Sequence, residues 1–248
     1  MKTSLERINT PDGLTLEGLL FAPDAPTKQI VVFVHGSAGN FYENPFIDKF
    51  AAEFTKNGIA LFTFNNRGAE FEKEKFNHLT NTWSTNYGML HEDFTDCSID
   101  ILTAVEFVAT RGYSSVALCG HSLGCNKVIH YALETNFTGP IVLLAPVDLS
   151  RHPFWGKQIR DGKHALDMFR YHTGKVVPEF AKFKNKILVQ IGTADECYEQ
   201  TDKQPCLDYL KSAFKNAKLT ANLIPNANHG FDSAPSTVAQ NITMFLMR

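Results

Sequence analysis

The sequence predicts a doubly wound α/β domain, a mostly parallel sheet with helices on both faces, and three observations carry that prediction. Continuous apolar runs recur: Gln29-Ile30-Val31-Val32-Phe33-Val34, Ile59 to Phe64, Ser115 to Cys119, Ile141 to Leu144 and Lys186 to Gly192. Their lack of apolar-polar alternation marks strands buried on both faces, as in a parallel sheet. Helical spacing appears between them, for example at Phe46, Ile47, Phe50, Ala51 and Phe54, one face of an amphipathic helix. The length of 248 residues, 44% hydrophobic and 20% charged, suits either one large domain or two small ones. Strand and helix alternate to the end of the chain, which favours a single domain over 1–248.

The elements follow in order. Residues 4–21 read as a hairpin about Pro11-Asp12-Gly13, which supplies turn geometry. The strand ending at Val34 delivers His35-Gly36-Ser37-Ala38-Gly39 to the sheet edge, and a helix over 43–57 stops at Asn57-Gly58. The next strand ends in Asn65-Asn66-Arg67-Gly68, where Arg67 is expected to clamp neighbouring loops. Residues 69–90 are polar and interrupted, and read as a long loop whose Phe71, Phe76, Trp83 and Tyr87 either line a pocket or anchor the loop. Helices are expected over 92–110, 203–215 and 238–247, and a further strand over 219–224.

Composition excludes several function classes. A net charge of −2 and a pI near 6.5 give no long-range attraction to nucleic acid or an anionic membrane. The N-terminal residues lack an apolar leader region, and no window approaches the ~18 apolar residues of a membrane span, so a cytoplasmic location is expected. Five cysteines (Cys97, Cys119, Cys125, Cys197, Cys206) show no C-x-x-C spacing; this argues against a disulfide framework or a zinc site, with a Cys197–Cys206 pair as the alternative. There is no Walker lysine pattern or G-x-G-x-x-G fingerprint. No metal, nucleotide or flavin cofactor is expected, and oligomeric state is not readable.

One stretch carries chemistry. Gly120-His121-Ser122-Leu123-Gly124 lies between the run Ser115 to Cys119 and a helix-like segment, Cys125 to Leu133. A serine on a sharp strand-to-helix turn projects its hydroxyl from the carboxyl edge of a sheet, and the turn aims a helix N-terminus at the reaction centre. The backbone N–H of Leu123 is then the natural first donor to a developing oxyanion.

This motif in this context resembles the α/β-hydrolase superfamily of serine esterases and acyl hydrolases, from about Leu14 to the C-terminus. The resemblance implies an α/β-hydrolase fold in which a serine, an acid and a histidine arrive in that chain order. By the same resemblance Ser122 is the nucleophile, and His229, in Asn228-His229-Gly230-Phe231, is the base. Asp195, in Gly192-Thr193-Ala194-Asp195, is the acid, with Glu196 and Asp148 as competitors. His35-Gly36-Ser37 resembles the oxyanion loop, with Ser37 N–H as second donor and His35 structural. A short cap or lid is expected at about 151–178; residues 151–172 hold five Lys or Arg against two Asp, a net of +3. Phe154 and Trp155 there, with His121 beside the nucleophile, are candidate pocket residues. The expected partner is a small-molecule ester, cleaved through an acyl-enzyme. A thioesterase, amidase or peptidase would use the same parts, and a non-catalytic binding protein on the same fold is the rival of a different class.

Overall fold

The computed structural model describes residues 1–148, 169, 171, 173, 175–198 and 202–248, with only the backbone of 84–86. In chain order the strands are β1 (Lys2–Asn9), β2 (Thr15–Ala22), β3 (Gln29–Val34), β4 (Ala60–Phe64), β5 (Lys73–Asn77), β6 (Thr82–Tyr87), β7 (Ser115–His121), β8 (Ile141–Leu144), β9 (Lys186–Gly192) and β10 (Lys218–Ile224). The helices are α1 (Phe46–Lys56), α2 (Cys97–Thr110), α3 (Leu123–Thr135), α4 (Gln204–Ala213) and α5 (Pro235–Met247). Eight strands form one sheet in the order β1-β2-β4-β3-β7-β8-β9-β10. The hairpin β1-β2 is antiparallel and joins β4 antiparallel, whereas every pairing from β4 to β10 is parallel.

Burial on both faces is visible residue by residue in β3. Ile30, Val32 and Val34 belong to a core with residues of α2, α3 and α4, while Val31 and Phe33 belong to a second core with α1 and α5. The period-2 pleat divides one strand between two cores, so every β3 position from Ile30 onward must be apolar. Helix α1 supplies a column of rings, Phe46, Phe50 and Phe54, stacked at 4.9 and 5.4 Å between centroids. Their four-residue spacing puts them on one face, and Phe33 meets Phe46 and Phe50 edge-on.

Sheet order changes direction between β3 and β7. The chain goes from β3 outward to β4 on one side, then starts again at β7 on the other. Loops leaving the carboxyl ends of β3 and β7 therefore diverge and open a crevice there. His35-Gly36-Ser37 and Ser122 are on those two loops.

One expectation requires correction. Part of the expected loop over 69–90 is a two-stranded hairpin, β5-β6. Asn77 Oδ1 accepts from the N–H groups of Leu79 and Thr80 at its turn, and Phe76 packs on Trp83 across the strands. The polar composition hid the pattern because the hairpin lies outside the main sheet and buries little. The Cys197–Cys206 pair is absent, and all five cysteines are free thiols, of which Cys197 alone is exposed. Most of the expected cap, including Phe154 and Trp155, lies outside the described residues. Among the described residues no helix is long and apolar enough to cross a membrane.

Candidate active site

Ser122 occupies a backbone conformation that ordinary residues avoid, with φ 54° and ψ −124°. Such a conformation costs about 1–3 kcal/mol and persists only where the surroundings enforce it. Here β7 ends one residue earlier and α3 begins one residue later, and the Ser122 N–H donates to the Leu144 carbonyl on the neighbouring strand at 2.9 Å. The motif's glycine is required by close approach: a Cβ on Gly124 would strike the carbonyl of Val34. Leu123 is the first residue of α3, so its N–H has no partner within the helix.

His229 comes from the loop after β10 and Asp195 from the turn after β9. Those segments are laced together: Thr193 N–H donates to Ile224 O and Ala194 N–H to Ala227 O, both at 3.0 Å, and Asn226 N–H donates to Thr193 Oγ1 at 2.8 Å. The result is that His229 Nδ1 lies 3.0 Å from both carboxylate oxygens of Asp195, itself 1% exposed. Burial works against charging His229, but hydrogen bonds to the Asp195 carboxylate and the Cys197 thiol raise its pKa to about 10. With the Nδ1 proton engaged by Asp195, Nε2 is the nitrogen left for a reacting group.

Of the competing acids, Glu196 accepts the backbone N–H of His229 at 3.1 Å and so holds the loop rather than the ring. Asp148 lines the same cavity, a space of about 220 Å³ walled by Ser37, Ser122, Val147, Cys197 and His229 among others. Ser37 is half-buried at that wall, and its loop passes directly behind the nucleophile, since a Cβ on Gly36 would be 2.9 Å from Ser122 Cβ. Phe71, Phe76, Trp83 and Tyr87 are not among the residues lining this cavity. Tyr87 packs on the core, whereas Phe71 and Trp83 are exposed.

His121, expected in the pocket, lines the cavity and also has a supporting position. It is buried, its ring meets Phe46 edge-on at 5.2 Å, and its Nε2 lies 2.9 Å from the His229 carbonyl. A carbonyl only accepts, so Nε2 carries the proton. Burial, reinforced by the charge of His229, lowers the His121 pKa to about 3 and keeps the ring neutral. The aromatic column of α1 thereby reaches the loop that carries His229 through one imidazole.

Sequence reasoning missed the machinery behind the oxyanion loop. Lys127 on α3 is fully buried, forms an ion pair with buried Glu92, and donates to Asn66 Oδ1 at 3.0 Å. The Asn66 N–H donates to His35 Nε2 at 3.1 Å, and His35 Nδ1 is 2.7 Å from the Gly36 carbonyl. Burial, helped by the Lys127 charge, lowers His35 to about 3. Beside it Arg67 clamps Asp100, Asp96 and Asp12 at 2.9, 2.8 and 3.0 Å, as expected of a clamp. A lysine inside a helix carries no sequence signal of burial.

Among the described residues Asp195, Cys197 and His229 also form a group of potential metal ligands. No curated protein matches the chain in sequence. Among solved structures, a dienelactone hydrolase from Anabaena variabilis is similar at 16% identity with a TM-score of 0.65, over 99% of this chain and 97% of that one. Est1E from Butyrivibrio proteoclasticus, solved with ferulic acid bound, is similar at 16% identity and 0.68, over 98% of both chains. Carboxylesterase CesB from Bacillus subtilis is similar at 14% identity and 0.67, over 99% and 92%. A family model described as serine aminopeptidase S33 matches residues 25–163. With its mostly parallel sheet and this match over more than half its length, the chain belongs to the serine aminopeptidase S33 family of the α/β-hydrolase fold.

Proposed function

We propose that the protein is a serine hydrolase that cleaves a carboxylic ester of a small to medium substrate. The observation that carries this reading is the contact of His229 Nδ1 with both oxygens of buried Asp195, on the wall of a cavity that also holds Ser122. Ser122 attacks the carbonyl as His229 Nε2 takes its proton; the N–H groups of Ser37 and Leu123 receive the oxyanion, and His229 then protonates the leaving alcohol. Water, activated by the same histidine, releases the acid. Asp195 holds the imidazole in the required tautomer and stabilises its charged form.

Ester cleavage is favoured over other acyl transfers by the fold relatives, one of which is named as a carboxylesterase. Peptide cleavage is the second reading, and the family description supports it. The two are separated by assaying a p-nitrophenyl ester ladder from acetate to laurate beside a set of aminoacyl p-nitroanilides, each with the wild type and Ser122→Ala. Serine-dependent turnover of esters with inert anilides is the expected result. Anilide turnover at comparable kcat/KM would replace the ester reading with the peptidase one.

A further inference from the structure

Four of the five cysteines are buried and one, Cys197, is exposed. The exposed one is on the active-site wall, two residues past the candidate acid, with its backbone N–H bonded to Asp195 Oδ1 at 2.9 Å. Its sulfur, a ring nitrogen of His229 and a carboxylate oxygen of Asp195 all lie within 4.8 Å of one another. A thiol, an imidazole and a carboxylate together are the donor set of a borderline-soft divalent ion, and the acid and base of the proposed triad are two of the three.

We propose that Asp195, Cys197 and His229 form an inhibitory binding site for zinc or a chemically similar divalent ion. Zinc bonds of about 2.0–2.3 Å in tetrahedral geometry hold donor atoms about 3.3–3.8 Å apart. Separations bounded at 4.8 Å therefore need to close by no more than about 1.5 Å. Asp195 is fixed by burial and by the N–H of Cys197, so the inward movement falls to the exposed Cys197 side chain, by rotation about its own Cα–Cβ bond. On binding, the Cys197 thiol and the charged His229 ring each release one proton to solvent, leaving a thiolate and a ring lone pair for the metal. A water completes the fourth position. Magnesium and calcium prefer all-oxygen shells and do not suit this set.

The consequence for turnover rests on the triad reading, because metal on the Asp195 side of the ring displaces the contact of His229 Nδ1 with Asp195 that supports the base. The binding itself does not rest on it. Four groups of the surrounding wall bear on occupancy. Asp148 adds negative charge to the cavity; Glu196 is tied to the His229 N–H; His121 is held neutral; Ser122 is uncharged. The site is thus made of the triad's acid–base pair and one accessible sulfur, and the other wall residues leave its charge balance favourable to a cation.

The test uses the full-length protein freed of metal by chelator and titrated with cobalt(II). A sulfur-to-cobalt charge-transfer band that saturates at one equivalent and is displaced by zinc is expected. Cys197→Ser should remove the band. Both Cys197→Ser and His229→Gln should weaken zinc binding by at least the roughly 10–100-fold that loss of even an outer-shell partner costs. Absence of the band in the wild type overturns the proposal. So does unchanged zinc affinity in His229→Gln, which would mean binding by a thiol alone. Ser122→Ala separates the two levels: it should keep the band while losing fluorophosphonate labelling. A wild-type band with no serine-dependent turnover under any condition would leave the metal site standing and remove the hydrolase reading.

Discussion

Two loops flank Ser122, and they are held in opposite ways. Behind the loop after β3 lies a buried polar frame, Lys127, Glu92, Asn66, His35 and Arg67 with Asp100, all but shut off from water. The loop after β10, which carries His229, is joined by hydrogen bonds to the turn after β9, which carries Asp195 and Cys197, and both reach the cavity wall. The difference follows from what each must do. An oxyanion receptor works best with dipoles that do not reorganise during the reaction, and buried charge pairs impose that fixity. A base must exchange protons, so it needs access and a pKa that a neighbouring carboxylate can adjust.

That contrast is open to mutation, beginning with turnover. Ser122→Ala and His229→Ala should each lower kcat by several orders of magnitude, on the scale of the ~10⁶ that removing a triad member costs elsewhere, with thermal melting unchanged to within a few degrees. Asp195→Asn should cost about 10⁴, since the wrong tautomer is then favoured. A variant of this loop that melts early but turns over normally would invert the comparison.

Substitutions behind the oxyanion loop should act on stability instead. Lys127→Met leaves the buried Glu92 carboxylate without its ion-pair partner, a loss of about 3–5 kcal/mol. For a chain of this size that is a fall of about 6–20 °C in Tm. Lys127→Met combined with Glu92→Leu removes both charges and should recover much of the loss, because a paired buried charge is often matched by apolar replacement. Failure of the double variant to recover would mean that the pair organises the fold beyond its charge balance.

A smaller, sharper effect concerns His121, which links helix α1 to the loop after β10 through Phe46 and the His229 carbonyl. It is a positioning residue, so His121→Ala should lower kcat with little change in KM, and His121→Asn, able to donate to the same carbonyl, should restore part of it. Equal losses in kcat for both would reduce His121 to packing.

The pH dependence of folding tests the two depressed histidines. His35 and His121 fall from an ordinary value of 6.5 to about 3 on folding, so below 6.5 the unfolded chain takes up protons that the native state refuses. Their stabilising contribution is complete above pH 6.5 and is lost as pH falls toward 3, at up to about 1.4 kcal/mol per pH unit for each ring. Urea midpoints should drop steadily between about pH 6.5 and 4, and less steeply in His35→Gln. An unchanged slope in that variant would contradict a neutral buried His35.

The same contrast explains what was legible in the sequence. Strands β3, β4, β7, β8 and β9 announce themselves because burial on both faces demands unbroken apolar runs. Ser122, Asp195 and His229, which the fold brings to one cavity or its wall, could be proposed from the sequence because a strand-to-helix turn and a loop-borne histidine leave local patterns. Lys127 and Glu92 were not, since a charge buried by its partner looks in sequence like any solvated charge until the fold brings the pair together. The β5-β6 hairpin escaped because it buries little, and its residues Lys73 to Asn77 therefore need not alternate cleanly. Cys197 and His229 are far apart in the chain, and no spacing rule links them; two parallel strands with adjacent ends do.

The most direct test of the central claim is intact-protein mass spectrometry after treatment with a fluorophosphonate. A single adduct on the wild type, mapped to Ser122 and absent from both Ser122→Ala and His229→Ala, is the predicted result. An unmodified wild type, or an adduct that survives in His229→Ala at the same rate, would contradict a serine nucleophile activated by His229.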